Sequence, residues 1–278
     1  MPSILRRFID WNRRVSRWER SLATRLVPAS GPDGPVDFRD NVLPGLLAPG
    51  MRILDVGGGK YPAISPTTKR ELGLHVVGLD ISAEELAQVP AGAYDSVIVG
   101  DVSRVHIPDQ FDLVFSRTLL EHVADTPAAV ANLARALRPN GRMAHVVPCG
   151  NAPFAVLNRT LGNRMARVVL FAIFPEKRKN SGFRAYYRDC TPSRLSKLCR
   201  DNGLEVVRLT PYYNSDYTSF FVPLYTVEML RQVASAGLGL QDFCEGFTIV
   251  AQAPGASPAG DTTRTAGEVG ALANGSGA

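Results

Sequence analysis

Short apolar runs separated by polar, helix-like stretches dominate the chain from about residue 51 onward. Arg52-Ile53-Leu54-Asp55-Val56, His75-Val76-Val77-Gly78-Leu79-Asp80, Ser96-Val97-Ile98-Val99-Gly100-Asp101, Phe111-Asp112-Leu113-Val114-Phe115 and Met143-Ala144-His145-Val146-Val147 are the first five. All are short and mostly β-branched or aliphatic, which predicts strands buried on both faces of a parallel sheet. The helical patterns between them make repeating βα units. Such units imply a doubly wound α/β fold whose ligand binds at the carboxyl ends of the strands.

Beyond the fifth strand the pattern is interrupted. Residues 149–190, rich in Arg, Lys and Tyr, do not read as a short crossover, and are expected to form a helical cap. The core resumes at Thr191-Pro192, a helix-start signal, with Leu195, Leu198 and Cys199 on one face and Gly203 as a stop before Leu204-Glu205-Val206-Val207. A second insert, about 212–243, precedes the last strand, Phe247-Thr248-Ile249-Val250-Ala251, which makes seven. After Ala253 the chain is nearly devoid of large apolar residues, and 254–278 reads as a disordered tail.

The other end is patterned differently. Ile4, Phe8, Trp11, Val15, Trp18 and Leu22 recur at steps of four and three, which aligns them on one face of a helix over residues 1–28. Pro28-Ala29-Ser30-Gly31-Pro32-Asp33-Gly34-Pro35 has the turn chemistry of a linker, so 29–50 reads as linker and lead-in to a domain spanning 51–253.

Composition bounds the class. The 278 residues, 45% hydrophobic and 21% charged, suit one large globular α/β domain with appendages. Charge changes the picture only locally. The formal net charge is +5, and the first 28 residues, with seven arginines against Asp10 and Glu19, carry all of it. A general basic patch for nucleic acid is therefore not indicated. The basic, aromatic helix reads either as packed on its own domain or as lying on an anionic membrane surface or partner. Cys149, Cys190, Cys199 and Cys244 show no metal-ligand spacing and no disulfide-scaffold density, as in a reducing cytosol. No stretch reaches the roughly 18 apolar residues of a spanning helix. Arginines also interrupt any apolar core of a signal peptide.

The chemistry-bearing residues stand in order at strand ends. Asp55-Val56-Gly57-Gly58-Gly59 closes the first strand, where glycines let the backbone approach a ligand that a Cβ would exclude. Asp80 ends the second strand, where an acid can accept ribose hydroxyl hydrogen bonds. Asp101 ends the third, and Ser116-Arg117-Thr118 follows the fourth. Four consecutive strand ends thus present polar groups or glycine to one crevice.

In these features the chain resembles the class I methyltransferases that use S-adenosylmethionine (SAM), particularly the broad group that includes the ubiquinone and menaquinone methyltransferases. The resemblance is good over about 50–150 and looser over 190–253, and it implies a Rossmann-like seven-stranded sheet with SAM as cofactor. It also implies roles. The stretch at Ile53 to Gly59, with Asp55, Gly57, Gly58 and Gly59, would line the methionine part of SAM. Asp80, with Ile81 beside it, would bind the ribose, and Asp101 with Val102 the adenine. Phe115 to Val123, with Ser116 and Arg117, would close the site, and Leu133 to Arg142 matches the helix and turn that follow.

One departure from the family is Tyr61, followed by Pro62, where another glycine is common. Lys60 beside it reads as a solvated lysine or as a partner for the cofactor carboxylate. Pro62 also argues against a nicotinamide-binding domain, whose third glycine it would replace.

Methyl transfer from a sulfonium requires chiefly that donor and acceptor be held in line. A hydroxyl acceptor adds the need for a base. His122, after the fourth strand, is the catalytic candidate, with a structural hydrogen bond as the competing reading. Glu121 reads as its orienter or as a surface residue, and His145 as packed core. Pro148-Cys149 is reminiscent of cytosine-C5 methylation, but no further feature supports it, so Cys149 reads as a buried thiol. The insert's Arg184, Tyr186 and Tyr187 are candidate substrate contacts, suited to a phosphorylated, carboxylated or glycan acceptor. Phe154 and Tyr217 lie in apolar stretches that could cap a pocket. The expectation is a cytoplasmic SAM-dependent methyltransferase, peripheral at the inner membrane face, acting on a hydroxyl of a glycan, lipid-linked or isoprenoid-type small molecule. Nucleic acid is disfavoured and no metal is expected. A catalytically silent fold serving as a membrane or partner-binding module stays open as the alternative.

Overall fold

In a computed structural model, residues 3–108, 110–160 and 183–255 are described, with side chains from residue 6 onward. The 254–278 tail expected to be disordered lies almost wholly outside the described residues, as does the centre of the first insert. Seven strands form one sheet: β1 (Arg52–Val56), β2 (His75–Asp80), β3 (Ser96–Val99), β4 (Phe111–Arg117), β5 (Leu137–Pro148), β6 (Glu205–Tyr212) and β7 (Gly246–Gln252). Their order is β3-β2-β1-β4-β5-β7-β6. β1 to β5 are parallel, and β7 runs antiparallel to both β5 and β6. The order reverses between β1 and β4, so the crevice for a ligand opens at the carboxyl ends of those two strands.

Both faces are covered at the central strands, whereas β3, expected to be buried on both faces, leaves Val97 48% and Val99 51% exposed because it lies at the sheet edge. Ile53, Val76, Leu113 and Phe115 face one side, and Leu54, Val77 and Val114 the other, as the two-residue period of a strand requires. The first side packs on Phe38, Val42 and Leu43. These belong to the stretch read as linker and lead-in, which is helical from Gly34 to Leu46 and buries Phe38 completely. Proline and glycine end the preceding helix there, but the apolar residues after them have a sheet face to cover. The second side packs on helices Thr126–Arg135 and Pro192–Asp201 through Val130, Leu133, Leu195 and Cys199. Asp125 caps the first, accepting from the Ala128 amide at 3.1 Å, and Thr191 caps the second.

The strands extend beyond their clean apolar cores. β6 runs to Tyr212 because Tyr212 pairs with Gly246 at the start of β7. β5 begins at Leu137, with an irregularity opposite Phe111 and Leu113 that admits the Pro139-Asn140-Gly141 turn.

Helix α1 (Ser3–Leu26) packs against the helix Val222–Gly237 of the second insert, but not through its apolar stripe. Asn12, Ser16 and Ala23 are the buried positions, with Glu19 and Arg20 half-buried beside them, while Phe8, Trp11, Trp18 and Leu22 are exposed. Hydrogen bonds decide this orientation. The Val222 amide donates to Asn12 Oδ1 at 2.8 Å, Ser16 Oγ donates to the Ser219 carbonyl at 3.3 Å, and Arg20 Nε donates to the Tyr225 hydroxyl at 3.0 Å. No helix among the described residues is long and apolar enough to cross a membrane.

Candidate active site

The glycine turn after β1 needs its glycines for two reasons. Gly57 has φ +73, a left-handed conformation that side chains resist, and a Cβ on Gly58 would meet the Tyr94 hydroxyl at 2.2 Å and the Asp55 carboxylate at 2.9 Å. Asp55 itself lies beneath the turn. Its Oδ2 accepts from the Ala63 amide and from the Tyr94 hydroxyl, both at 3.1 Å. Burial pushes its carboxyl up to about 6, against the lowering pull of those bonds and of Arg117. It holds the loop from below and is not part of the crevice lining.

The crevice above it, about 570 Å³, is lined by Gly57, Gly58, Gly59, Asp80, Ile81, Asp101, Val102 and Arg117, with Phe183 and Tyr186 on its far rim. Eight residues predicted from strand ends therefore meet in one concavity of a size that suits a nucleoside-bearing ligand. Asp80 Oδ1 accepts from the Ser82 amide at 2.9 Å. Asp101 Oδ1 accepts from the Ser103 amide at 2.9 Å and its hydroxyl at 2.7 Å, and these bonds hold the Asp101 carboxyl below its ordinary value. Two carboxylates, a glycine cradle without room for a Cβ and the apolar Val102 next to Asp101 fit the hydroxyls, backbone and base of SAM.

Ser116 lies elsewhere. It is completely buried, and its hydroxyl bonds to His145 Nδ1 at 2.6 Å. Burial holds His145 neutral, its imidazole lowered to about 3, so it is a core residue with one polar partner. Arg117 instead reaches across the crevice and donates from Nη2 to the Tyr61 carbonyl. That bond anchors the glycine-poor exit of the loop, while the Tyr61 side chain stays 64% exposed. Lys60 pairs with Glu85 at 3.0 Å.

A second cavity of about 710 Å³ adjoins the first, and Thr118 and His122 line both. Among the described residues its walls come from five separate parts of the chain: Glu121, Val147 and Cys149 near the sheet, Phe154 and Tyr187 from the first insert, Tyr217 and Glu245 from the second insert and its exit, Arg13 and Arg17 from α1, and Asp33 to Pro35 from the lead-in. Phe154 and Tyr217 stack at 4.3 Å with planes 4° apart. Arg13, Arg17 and Glu245 carry no sequence signal for this role, because only tertiary packing brings them here. Cys149 is buried, with Sγ donating to the Asp242 carbonyl at 3.4 Å.

His122 Nδ1 lies 3.0 Å from the Arg184 carbonyl. A carbonyl only accepts, so Nδ1 carries the proton and Nε2 is the basic nitrogen of the neutral ring. Desolvation lowers the imidazole below 6.5, and the carbonyl bond opposes that only in part. Glu121 is buried. Its Oε1 lies 3.7 Å from His122 Nε2, too far for a hydrogen bond, and Oε2 has no partner among the described residues. Burial pushes this carboxyl up to about 8. Its backbone carbonyl accepts from the amides of Tyr186 at 2.7 Å and Tyr187 at 3.0 Å, which stitches the insert to the end of β4. Tyr186 faces the first cavity and Tyr187 the second. The Arg184 guanidinium lies over the Tyr186 ring at 5.0 Å and lines neither cavity.

Residues 54–145 match the model of a methyltransferase domain. The chain is 29% identical to the ubiquinone biosynthesis O-methyltransferase of Aromatoleum aromaticum, over 58% of this chain and 66% of that one. It is 30% identical to the protein of the same name from Thiobacillus denitrificans, over 58% of this chain and 67% of that one. The match thus spans about two thirds of these relatives. A SAM-dependent methyltransferase of Mesorhizobium loti shares the fold, with a TM-score of 0.51 at 19% identity over 76% of this chain and 95% of that one.

Proposed function

Because this chain belongs to the class I SAM-dependent methyltransferase family, we propose that it moves the methyl group of SAM to a hydroxyl of a lipid-linked, isoprenoid-type or glycan acceptor seated in the second cavity. The observation that carries this reading is the position of His122, in the lining of both cavities with Nε2 as its basic nitrogen. The relatives are named for O-methylation in ubiquinone biosynthesis, which supports a hydroxyl acceptor on an apolar body.

SAM supplies a methyl group already activated on a sulfonium. The protein's part is binding, orientation and one proton. In this reading Gly57, Gly58 and Gly59 receive the methionine end, with Asp55 bracing the turn from below; Asp80 and Ile81 hold the ribose, and Asp101 and Val102 the base. Arg117 pins the loop through Tyr61, and Phe183 and Tyr186 shield the rim from water. His122 Nε2 takes the acceptor proton as the oxygen becomes nucleophilic. The carbonyl of Arg184 keeps the ring in the required tautomer. Tyr187 and the stacked Phe154 and Tyr217 offer an apolar wall to the acceptor, with Arg13 and Arg17 of α1 and the acids Asp33 and Asp216 among the charged lining. The enzyme acts in the cytoplasm, peripherally at the inner membrane face.

Labelled methyl transfer from SAM into fractionated cell extract tests the proposal. Label is expected in an organic-extractable methyl ether. Label confined to protein or nucleic acid, from enzyme that binds S-adenosylhomocysteine normally, would overturn it.

A further inference from the structure

Helix α1 presents its polar side to the protein and its aromatic side to solvent. Trp11 is 57% and Trp18 68% exposed, with Phe8, Leu22 and Leu26 beside them on the same face. The neighbouring helix Val222–Gly237 does the same: Pro223, Leu224, Val227 and Leu230 are exposed and recur at helical spacing.

The two stripes share one side of the helix pair. Thr226 Oγ1 donates to Glu19 Oε1 at 3.0 Å, which fixes where the helices touch. Val15 and Leu22 stand four before and three after Glu19, while Pro223 and Leu230 stand three before and four after Thr226. These positions flank the contact on both helices. Arg20, which bonds Tyr225 and Gln232, marks the opposite, inward side. The outward apolar face is therefore made of two helices locked together by polar bonds.

Its surroundings are cationic. Arg7, Arg14 and Arg25 are exposed along the shoulder of α1 next to Trp18, and Arg6 and Arg17 are exposed further round. Asp10 is the only exposed acid of the helix. A partner must accept aromatic side chains and supply negative charge without demanding shape complementarity. An anionic lipid surface does both, since Trp rings favour the headgroup boundary and arginines pair with phosphates.

We propose that this two-helix face docks on an anionic bilayer. The proposal rests on the reading of the second cavity as the acceptor site, because α1 carries Arg13, Ser16 and Arg17 into that cavity's wall from the same helix that meets the lipid. Docking would hold the cavity one helix diameter, roughly 10–12 Å, from the headgroups, close to an acceptor whose apolar body rests in the bilayer.

The test uses the full chain and vesicles of phosphatidylglycerol with phosphatidylcholine. Trp11 and Trp18 are the only tryptophans in the sequence, so intrinsic fluorescence reports on this face alone. The expected results are a shift of emission to shorter wavelength, and pelleting with these vesicles that pure phosphatidylcholine does not reproduce. In the double variant Trp11→Ser, Trp18→Ser, pelleting should fall by about tenfold or more while S-adenosylhomocysteine affinity is unchanged. Leu230→Asp should weaken pelleting too, since its stripe belongs to the same face. Failure of the wild type to pellet, or equal pelleting by the double variant, overturns docking. So does a dimer in sedimentation that the tryptophan changes dissolve, which would assign the face to a second copy. Methyl transfer to a detergent-solubilised acceptor is read separately, so loss of docking and loss of the methyltransferase reading are distinguishable.

Discussion

His122 Nδ1 donates to the Arg184 carbonyl at 3.0 Å. This bond joins the end of β4 to the first insert and decides which imidazole nitrogen is basic. His122→Gln is expected to lower turnover by about 10² to 10⁴, the usual worth of a positioned base, with cofactor affinity intact. Turnover and calorimetry with S-adenosylhomocysteine check the two halves. An unchanged rate would falsify the assignment.

The same residue sets a pH dependence. A base must be neutral to act, and burial lowers the His122 imidazole below 6.5. Activity should therefore persist as pH falls through 6.5 and decline only below it. The acid limb of the kcat/KM profile is the measurement, and its midpoint lying above 6.5 would count against His122.

Glu121 makes a prediction about stability. Its carboxyl ionises at about 4.5 in an unfolded chain and at about 8 when folded, because burial disfavours the charge. The folded state thus holds the proton more tightly, so its contribution is full below about 4.5 and is lost progressively as pH rises to about 8. Glu121→Gln should flatten that decline and raise Tm at pH 8, by roughly 2–4 °C per kcal/mol recovered. Thermal melts across this range test it.

Cofactor affinity should depend on Asp80. Removing hydrogen bonds to a charged acceptor costs about 1.5–3 kcal/mol each, so Asp80→Ala is expected to weaken S-adenosylhomocysteine binding by about tenfold to a hundredfold or more. Calorimetry reads this directly, and a change of less than about threefold would remove Asp80 from the site.

Phe38 is fully buried against Phe115, with ring centroids 6.5 Å apart. Phe38→Ala should cost about 3–5 kcal/mol of stability, read by denaturant unfolding. A loss below about 1 kcal/mol would mean that the 34–46 helices do not cover the sheet.

The central sheet and the first cavity were legible in the sequence for one physical reason. A strand buried on both faces must be apolar along its length, so the ends of β2 and β4 are visible where Asp80 and Arg117 interrupt the apolar run, while Asp101 follows the more exposed edge strand β3 and Asp55 braces the glycine turn from below. In a doubly wound sheet those ends converge, and local pattern suffices to assemble the crevice. Ser116 shows the limit of that logic. It stands at a strand end like the others, yet the alternation of side chains turns it into the core toward His145.

What the tertiary structure alone decided is the second cavity and the attitude of α1. Arg13, Phe154, Tyr187, Tyr217 and Glu245 are scattered over more than two hundred residues, and no period or spacing links them. The helix pattern of α1 showed an apolar face and a polar one but not which faces inward. That was settled by Asn12, Ser16, Glu19 and Arg20, whose partners on the second insert satisfy them only when the tryptophans point out. Hydrophobic periodicity is a property of one segment, whereas the pairing of buried polar groups depends on two segments that meet only in the folded chain.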